Sequence, residues 1–155
     1  MGERRARSDR DGSAEVSAPS RVHVEWKGEH NFDAGREGRP SIRLDGDGIT
    51  GPTPPDALLI ALASCVSVDV VDILAKRRTP LEKYSVEVLG ERVDTIPRRF
   101  RSIVMNVSMT GAGIERVQAE RAIELSVSKY CSVRDSLAPD ISVTWNLSLN
   151  DPDPA

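Results

Sequence analysis

The sequence predicts an α+β fold, in which an antiparallel β-sheet accompanies one long central helix. Three observations lead to this prediction. Apolar and polar residues alternate near both ends of the chain, a long apolar helical stretch lies between these ends, and 155 residues suit a single domain. The predicted element order is βββ-α-ββ-αα-β, which is typical of folds whose helices collect on one side of an antiparallel sheet.

An alternating run opens the domain, with apolar side chains at Val22, Val24 and Trp26 and polar ones between them. This pattern predicts a strand with one buried face. Two further short strands are expected at 31–34 and 41–44, because turn-rich segments separate and follow them. Together the three strands predict a small antiparallel meander.

The segment 56–78 has the composition of a long helix, with leucines, alanines and a basic C-terminal end. Its predicted first residue is Pro55, where a missing N–H costs nothing. The first half is apolar on nearly every face. Such a helix must be covered all round, either by its own sheet and helices or by another subunit.

The remaining elements are predicted from changes in the spacing of apolar residues along the chain. Two β-rich runs at 83–94 and 100–110 predict a long hairpin, and 114–127 returns to helical spacing. A shorter helical piece is expected at 128–137, where it carries Cys131. The clean alternation over 141–149 predicts a last strand with one face in water.

The predicted domain spans residues 21–150. Residues 1–20 are polar and charged, so they are expected to form a disordered tail, and 151–155 are expected to fray. The net charge of −3 provides no broad positive field, so nucleic acid is not an expected partner. We find no signal-peptide core and no uninterrupted membrane span, and we expect a cytoplasmic protein without a membrane partner.

The chain has two cysteines, Cys65 and Cys131, which lie 66 positions apart. This is not a zinc spacing, and two thiols are too few to staple a secreted fold. They are therefore either inert core thiols or a redox couple. His23 and His30 have no metal-ligand cluster around them, so we interpret both as structural and expect no metal or organic cofactor.

Two motifs resemble those of the OsmC/Ohr family: GPTPPDALLIALASCVSVDVVDIL at 51–74 and KYCSVRDSL at 129–137. The resemblance covers about residues 22–149. It implies an intertwined homodimer and a cysteine-based peroxidase that reduces organic hydroperoxides, with hydrogen peroxide as a further candidate, and that is restored by a dithiol. It also implies that Cys65 attacks the peroxide and that Cys131 resolves the product.

The family's chemistry further implies an arginine in the early turn, for which Arg36 matches best and Arg39 is the substitute. A carboxylate near the start of the long helix is also implied. Asp56 stands there, where the family usually has Glu. An arginine beside Cys65 would favour the thiolate and would stabilise the leaving alkoxide.

The spacing along the helix gives a separate prediction. Asp56 and Cys65 are nine residues apart, hence about 13.5 Å along the axis and half a turn out of phase. They cannot touch within one helix. A carboxylate that orients an arginine over the sulfur would therefore come from a second chain, which places the active site at a homodimer interface.

Simpler roles are open for several of these residues. Asp56 could serve only the helix N-terminus, and Arg36 and Arg39 could be solvated turn residues. Asp69, one turn beyond Cys65, would oppose the thiolate, so we expect it to face away or to pair with a cation. The candidate cations are Lys76 and Arg77. Tyr130 is expected to be a core or interface aromatic.

Two further functions stay open. The first is a dimeric binding module for a small lipophilic ligand, which the Asp in place of Glu at position 56 favours. The second is a stress-associated structural protein with inert thiols. If the protein is a peroxidase, the substrate's apolar tail is expected among four side chains: Leu58, Leu62, Met105 and Trp145.

Overall fold

The computed structural model of the chain describes residues 17–151. Most of the predicted N-terminal tail, and residues 152–155 of the predicted frayed C-terminus, therefore lie outside the described residues. Within the described part the element order is the predicted βββ-α-ββ-αα-β, with a π-helical turn between the last two helices. The α+β fold class is confirmed.

The first three strands form the predicted antiparallel meander. They are β1 (His23–Trp26), β2 (Asn31–Gly35) and β3 (Ile42–Asp45). The register aligns apolar residues across the strands, so one face of the meander is apolar. Two rows make up that face: Val24, Ala34 and Ile42 in one, and Trp26, Phe32 and Leu44 in the other.

Helix α1 spans Pro54–Lys76 and begins one residue before the predicted Pro55. A capping box fixes this start. The Thr53 Oγ1 accepts a hydrogen bond from the Asp56 N–H, and the Asp56 carboxylate accepts one from the Thr53 N–H at 3.0 Å. Every fourth residue along one face is buried: Leu62, Val66, Val70 and Leu74.

By length and composition α1 is also long and apolar enough to cross a membrane, although only 22% of its most apolar window is buried within the chain. Core helices that are covered by other protein reach the same length and hydropathy. This property therefore identifies no membrane span by itself.

A second sheet contains β4 (Lys83–Arg92), β5 (Phe100–Thr110) and β6 (Ser142–Leu149), with β5 in the centre. The pairing of β4 with β5 is the predicted long hairpin. The pairing of β6 with β5 is parallel, so the prediction of a wholly antiparallel sheet is wrong at this one edge. The reason is the connection: the chain crosses over through helices before β6, and a crossover of this kind returns a strand in the same direction.

That crossover consists of α2 (Arg116–Leu125), a π-helical turn (Ser126–Tyr130) and the short α3 (Ser132–Asp135). Cys131 stands between the turn and α3. A largely aliphatic core joins α1, β5 and α2. Its fully buried members include Leu62, Val70, Leu74, Ile103, Met105, Val107 and Ile123.

Candidate active site

The fold brings the two cysteines together, although they lie 66 positions apart in the sequence. Cys65 is near the middle of α1, and Cys131 is the N-cap residue of α3. Both are free thiols, and they lie close enough for each to shift the pKa of the other. Packing of α1 against the π-helical turn and α3 produces this contact.

The π-helical turn sets the position of Cys131. The Cys131 N–H donates to the Ser126 carbonyl at 2.9 Å, and the chain then leaves helical geometry at Cys131. This extended residue caps α3, and its Sγ accepts a hydrogen bond from the Arg134 N–H at 3.3 Å. Single π-helical turns within helices are frequent at functional sites, because the extra residue redirects one side chain.

The surroundings of Cys65 favour its ionised form. Burial raises the pKa of the Cys65 thiol, but hydrogen bonds from the Val133 N–H, Cys131 and Ser132 more than offset burial, and the pKa lies below its ordinary value. Each of these donors stabilises a sulfur anion more than a neutral thiol. The fold therefore places hydrogen-bond donors around Cys65 that favour its thiolate form.

Cys131 has the opposite character. Burial and the neighbouring Cys65 raise the pKa of Cys131 to about 11, and the N–H of Arg134 only partly offsets this rise. Cys131 is 4% exposed. Cys131 therefore keeps its proton at neutral pH. Of the two, Cys65 is the sulfur that is ready to act as a nucleophile.

Asp69 is not where the sequence led us to expect it. It lies close enough to Cys65 to raise the pKa of that thiol, and among residues 17–151 no ion pair joins it to Lys76 or Arg77. The expectation that it faces away is wrong, because four residues make little more than one helical turn and keep both side chains on one face.

The candidate arginines lie elsewhere in the chain. Arg36 and Arg39 are exposed in the turn that joins β2 to β3. Neither is among the groups that act on Cys65 within one chain. The structure of the single chain therefore leaves the thiolate without the guanidinium that the resemblance implies.

Asp56 serves the N-terminus of α1. Hydrogen bonds from the side chain and the N–H of Thr53 hold the pKa of Asp56 below its ordinary value, and Arg92 adds a smaller electrostatic contribution. The carboxylate accepts from the Thr53 hydroxyl at 2.6 Å. Asp56 is thus a capping residue in this chain and makes no contact with Cys65.

One expectation about apolar side chains is wrong. Leu62 and Met105 are fully buried in the core, so neither can line an open pocket for a substrate's tail. Tyr130 is 51% exposed in the single chain, so it is not a core aromatic, and its expected place at an interface stays a prediction. The sequence pattern shows that these residues are apolar but does not show whether a cavity reaches them.

The histidines take no part in the site. His23 lies in β1, and His30 Nδ1 is 3.0 Å from the Asp47 carboxylate, at an exposed position. Asp47, with Asp45 and Glu29, raises the pKa of His30. Among residues 17–151, no three His, Cys, Asp or Glu side chains come together in a way that would hold a metal ion.

Sequence reasoning missed Ser132 and Val133, whose hydroxyl and N–H act on Cys65. Both follow Cys131 directly in the KYCSVRDSL motif, and this adjacency was the only available signal. Their role depends on α1 packing against α3. That contact joins residues more than 60 positions apart, and no local pattern encodes it.

A cavity of about 880 Å³ has Cys131 in its wall. Its wall includes Cys131 and residues of α2, the π-helical turn, α3 and β6, among them Trp145, whose Nε1 donates to Glu124 at 3.2 Å. A smaller groove of about 460 Å³ runs between α1 and β4 and includes Asp56.

The sequence profile of the OsmC-like protein family matches residues 45–146. Among curated proteins, the chain is similar to protein YhfA of Escherichia coli strain K12. The two are 33% identical over 109 residues, which cover 70% of this chain and 81% of that protein.

Two solved structures have a similar fold. One is an OsmC-like protein from Mycoplasma pneumoniae, with a TM-score of 0.73 and 18% identity over 86% of this chain and 99% of that one. The other is the organic hydroperoxide resistance protein OhrB of Bacillus subtilis, with a TM-score of 0.57 and 12% identity over 84% of this chain and 98% of that one. At these identities the likeness concerns the fold.

Proposed function

Because the chain belongs to the OsmC-like protein family, we propose that it is a thiol-dependent peroxidase that reduces organic hydroperoxides through a Cys65 sulfenic acid and a Cys65–Cys131 disulfide. One observation carries this proposal: the fold packs α1 against the π-helical turn and α3, so that the two thiols lie close enough to interact, with the pKa of Cys65 lowered and that of Cys131 raised. The name of OhrB, an organic hydroperoxide resistance protein, suggests the substrate class.

The proposed reaction has two steps. The Cys65 thiolate attacks one oxygen of the peroxide, an S–O bond forms, the O–O bond breaks, and the alkoxide leaves as an alcohol after taking a proton. Cys131 then attacks the sulfenic sulfur, so that an S–S bond forms and water leaves. The peroxide is reduced by two electrons, and the two thiols are oxidised to one disulfide.

The contact with Cys131 suits both steps. A thiol that donates to Cys65 stabilises the nucleophile before attack, and the same thiol is already beside the sulfenic acid afterwards. A sulfenic acid with an adjacent thiol condenses before a second peroxide can oxidise it further. Cys131 is the second of only two cysteines in the chain.

We also propose that the working unit is a homodimer. The face of α1 that includes Ile60, Val68 and Val71 is uncovered in the single chain, and Val68 is 60% exposed. The apolar face of the meander is uncovered too, with Trp26 at 65% exposure. Contiguous apolar surface of this kind marks an interaction site, and a second copy of the chain would cover both faces.

A dimer would also supply the missing cation. Arg36, with Arg39 as the substitute, lies at the tip of the uncovered meander, and in a dimer we assign this tip to the Cys65 of the other subunit. A guanidinium there would outweigh the unfavourable Asp69 charge and would bind the leaving alkoxide. Since the disulfide must be reduced again by a dithiol, we place the protein in a reducing compartment such as the cytoplasm.

One observation favours a second candidate function. The Asp56 carboxylate is held by Thr53, so it is less available to orient an arginine than a longer Glu would be. A site of this kind could retain the scaffold as a dimeric module that binds a small lipophilic ligand. In that case the thiols would not be consumed by peroxide.

The decisive experiment follows the consumption of cumene hydroperoxide by the purified protein, with dithiothreitol as reductant. We expect turnover by the wild type and none by Cys65→Ser. In Cys131→Ser, treated with peroxide in the absence of dithiothreitol, Cys65 should be oxidised once without forming a disulfide within the chain. Ser148→Ala, at an exposed position of β6, is the control and should retain the wild-type rate. Turnover that survives in Cys65→Ser would refute the proposal, and absence of thiol loss in the wild type would leave the binding module as the better account.

A further inference from the structure

Asp69 is a charged side chain beside Cys65 to which the proposed reaction gives no role. It lies four residues after Cys65 on α1, and side chains at this spacing are neighbours on one face of a helix, with Cβ atoms about 5–6 Å apart. Both residues are half-buried, so neither is sealed in the core. The pair therefore offers a sulfur and a carboxylate side by side to a small molecule.

The Asp69 carboxylate has no partner within the described part of the chain. Among residues 17–151 it accepts no hydrogen bond and forms no ion pair. By contrast, the carboxylates of Asp45 and Asp56 both accept backbone N–H groups. A half-buried charge without hydrogen bonds is unfavourable, and Asp69 also raises the pKa of Cys65. Its lone pairs are free for a molecule that approaches the sulfur.

The other polar groups at Cys65 are hydrogen-bond donors. The Val133 N–H and the Ser132 hydroxyl both act on the sulfur in this way. A hydroperoxide has two oxygens that accept hydrogen bonds and a single O–H that donates one, so donors at the site can bind its oxygens but cannot bind its O–H. Among the groups with the largest effect on Cys65, Asp69 is the one carboxylate.

We propose that the Asp69 carboxylate accepts a hydrogen bond from the O–H of the bound hydroperoxide and so presents its terminal oxygen to the Cys65 sulfur. Asp69 is then a catalytic residue, and it selects peroxides that have a free O–H over those with an alkyl group on both oxygens. This inference rests on the proposed peroxidase function, since it concerns the binding of the same substrate.

The spacing of the two side chains suits this arrangement. Reacting atoms in an attack geometry are about 3–3.5 Å apart, and an O–H that donates to a carboxylate has its oxygen about 2.5–2.7 Å from the acceptor. A terminal oxygen that meets both groups therefore needs a sulfur and a carboxylate oxygen roughly 4–6 Å apart, depending on the angle between the two contacts. Side chains four residues apart on a helix provide a separation of this size.

The step balances without a further reactant. The Cys65 thiolate attacks the terminal oxygen, an S–O bond forms, and the O–O bond breaks with its electron pair on the departing oxygen. The hydrogen that Asp69 holds stays on the attacked oxygen, which becomes the hydroxyl of the sulfenic acid. The departing alkoxide takes a proton from water and leaves as the alcohol. Attack on the other oxygen would instead attach the alkyl group to sulfur as an ester.

Two electrophiles separate this role from a general effect of charge. Cumene hydroperoxide has an O–H, whereas dithiodipyridine also reacts with a thiolate but has no hydrogen-bond donor. The variant is Asp69→Asn, which keeps the size of the side chain and replaces the charged acceptor by a neutral amide. Asp69 is half-buried and unpaired, so this variant is expected to fold. Asp72→Asn, at an exposed position of the same helix, is the matched control.

The rate at which reduced Cys65 reacts is followed by acid quenching and mass spectrometry. We expect Asp69→Asn to react with cumene hydroperoxide about tenfold more slowly than the wild type, an effect of the size that loss of one hydrogen bond to a charged group has on a rate. Its reaction with dithiodipyridine should be as fast or faster, because an anion that opposes the thiolate is removed. Asp72→Asn should match the wild type with both reagents.

Slowing of both reactions by the same factor would overturn the inference, because Asp69 would then only support the structure or the ionisation of Cys65. An unchanged or faster peroxide reaction in Asp69→Asn would also overturn it, since Asp69 would then be no more than an unfavourable charge. The wild type decides the proposed function separately. A wild-type Cys65 that reacts with dithiodipyridine but not with cumene hydroperoxide would refute the peroxidase, and the role of Asp69 with it.

Discussion

At the scale of single residues, Cys65 and Cys131 differ because of the groups that point at each sulfur. Cys65 receives hydrogen bonds from Val133, Cys131 and Ser132, whereas Cys131 is buried and keeps its proton. The sequence identified both cysteines through their motifs. It could not rank them by acidity from spacing, because the donors come from a helix that meets α1 only in the folded chain.

Removal of one donor should therefore change the titration of Cys65. Ser132→Ala is expected to raise the pKa of Cys65, since a hydroxyl that stabilises the thiolate is lost. Alkylation by iodoacetamide at neutral pH should become several-fold slower, and its pH profile should move to higher pH. Ser136→Ala, which removes a hydroxyl of the same segment that bonds the Ser132 carbonyl, is the control. Overlapping profiles for Ser132→Ala and the wild type would contradict this assignment.

Asp45 holds the turn that precedes α1. Its carboxylate is 2% exposed and accepts hydrogen bonds from the N–H groups of Asp47, Ile49 and Thr50. These donors, led by Thr50, lower the pKa of Asp45 to about 2. The folded state thus binds the Asp45 proton less tightly than the unfolded state does. The resulting stability is present above the unfolded pKa, near 4, and is lost as the pH falls towards 2.

We expect Asp45→Asn to lower the midpoint of thermal unfolding at pH 7 by several degrees, because an amide leaves some of these donors without an acceptor. The loss should shrink as the pH is lowered from 4 towards 2. Asp47→Asn is the control, since the Asp47 carboxylate is exposed and pairs with the exposed His30. Equal midpoints for Asp45→Asn and Asp47→Asn would show that the turn does not depend on this carboxylate.

At the scale of elements, the spacing of apolar residues in the sequence predicted the positions of the strands and the long helix well. The alternation over 141–149 is observed in β6, whose residues switch between exposed and partly buried positions. What it could not give is the direction in which β6 pairs, because alternation is the same for parallel and antiparallel neighbours. The π-helical turn was missed for a similar reason: one extra residue in a turn has no periodic signature.

The uncovered face of α1 leads to a prediction at this scale. Val68→Lys should shift the protein from dimer towards monomer, since a charge would have to be buried between the subunits. Sedimentation velocity at micromolar concentration measures this shift. Val117→Lys, at a 73% exposed position on α2, is the matched control and should leave the sedimentation coefficient unchanged. A fully dimeric Val68→Lys protein would place the interface elsewhere.

At the scale of the whole molecule, the single chain brings two interacting thiols together, and the candidate arginine is not among the groups that act on them. The sequence supported a second subunit through two observations: the nine residues between Asp56 and Cys65, and the apolar first half of the long helix. The uncovered apolar faces of α1 and the meander agree with that expectation. The detailed pairing of two chains lies beyond sequence reasoning, because it depends on the shapes of surfaces built from distant segments.

Mixing two inactive variants tests whether Arg36 of one subunit acts on Cys65 of the other. Cys65→Ser and Arg36→Ala should each have little peroxidase activity. If Arg36 acts across the interface, each mixed dimer contains one complete site. Random reassociation after mild denaturation should then restore about a quarter of the wild-type activity per chain, since half of the dimers are mixed and each has one of two sites intact. Absence of recovery in refolded mixtures, with wild-type protein recovering normally, would place the arginine in the same chain as its cysteine.

The central claim is that the two thiols act as one redox couple. The most direct measurement is peptide mapping by mass spectrometry after the reduced protein has reacted with one equivalent of cumene hydroperoxide and has been alkylated. The account predicts one cross-linked species that joins the peptides of Cys65 and Cys131 within a single chain, together with one equivalent of cumyl alcohol. Recovery of both cysteines as alkylated thiols, or of Cys65 only as sulfinic acid with Cys131 still reduced, would contradict it.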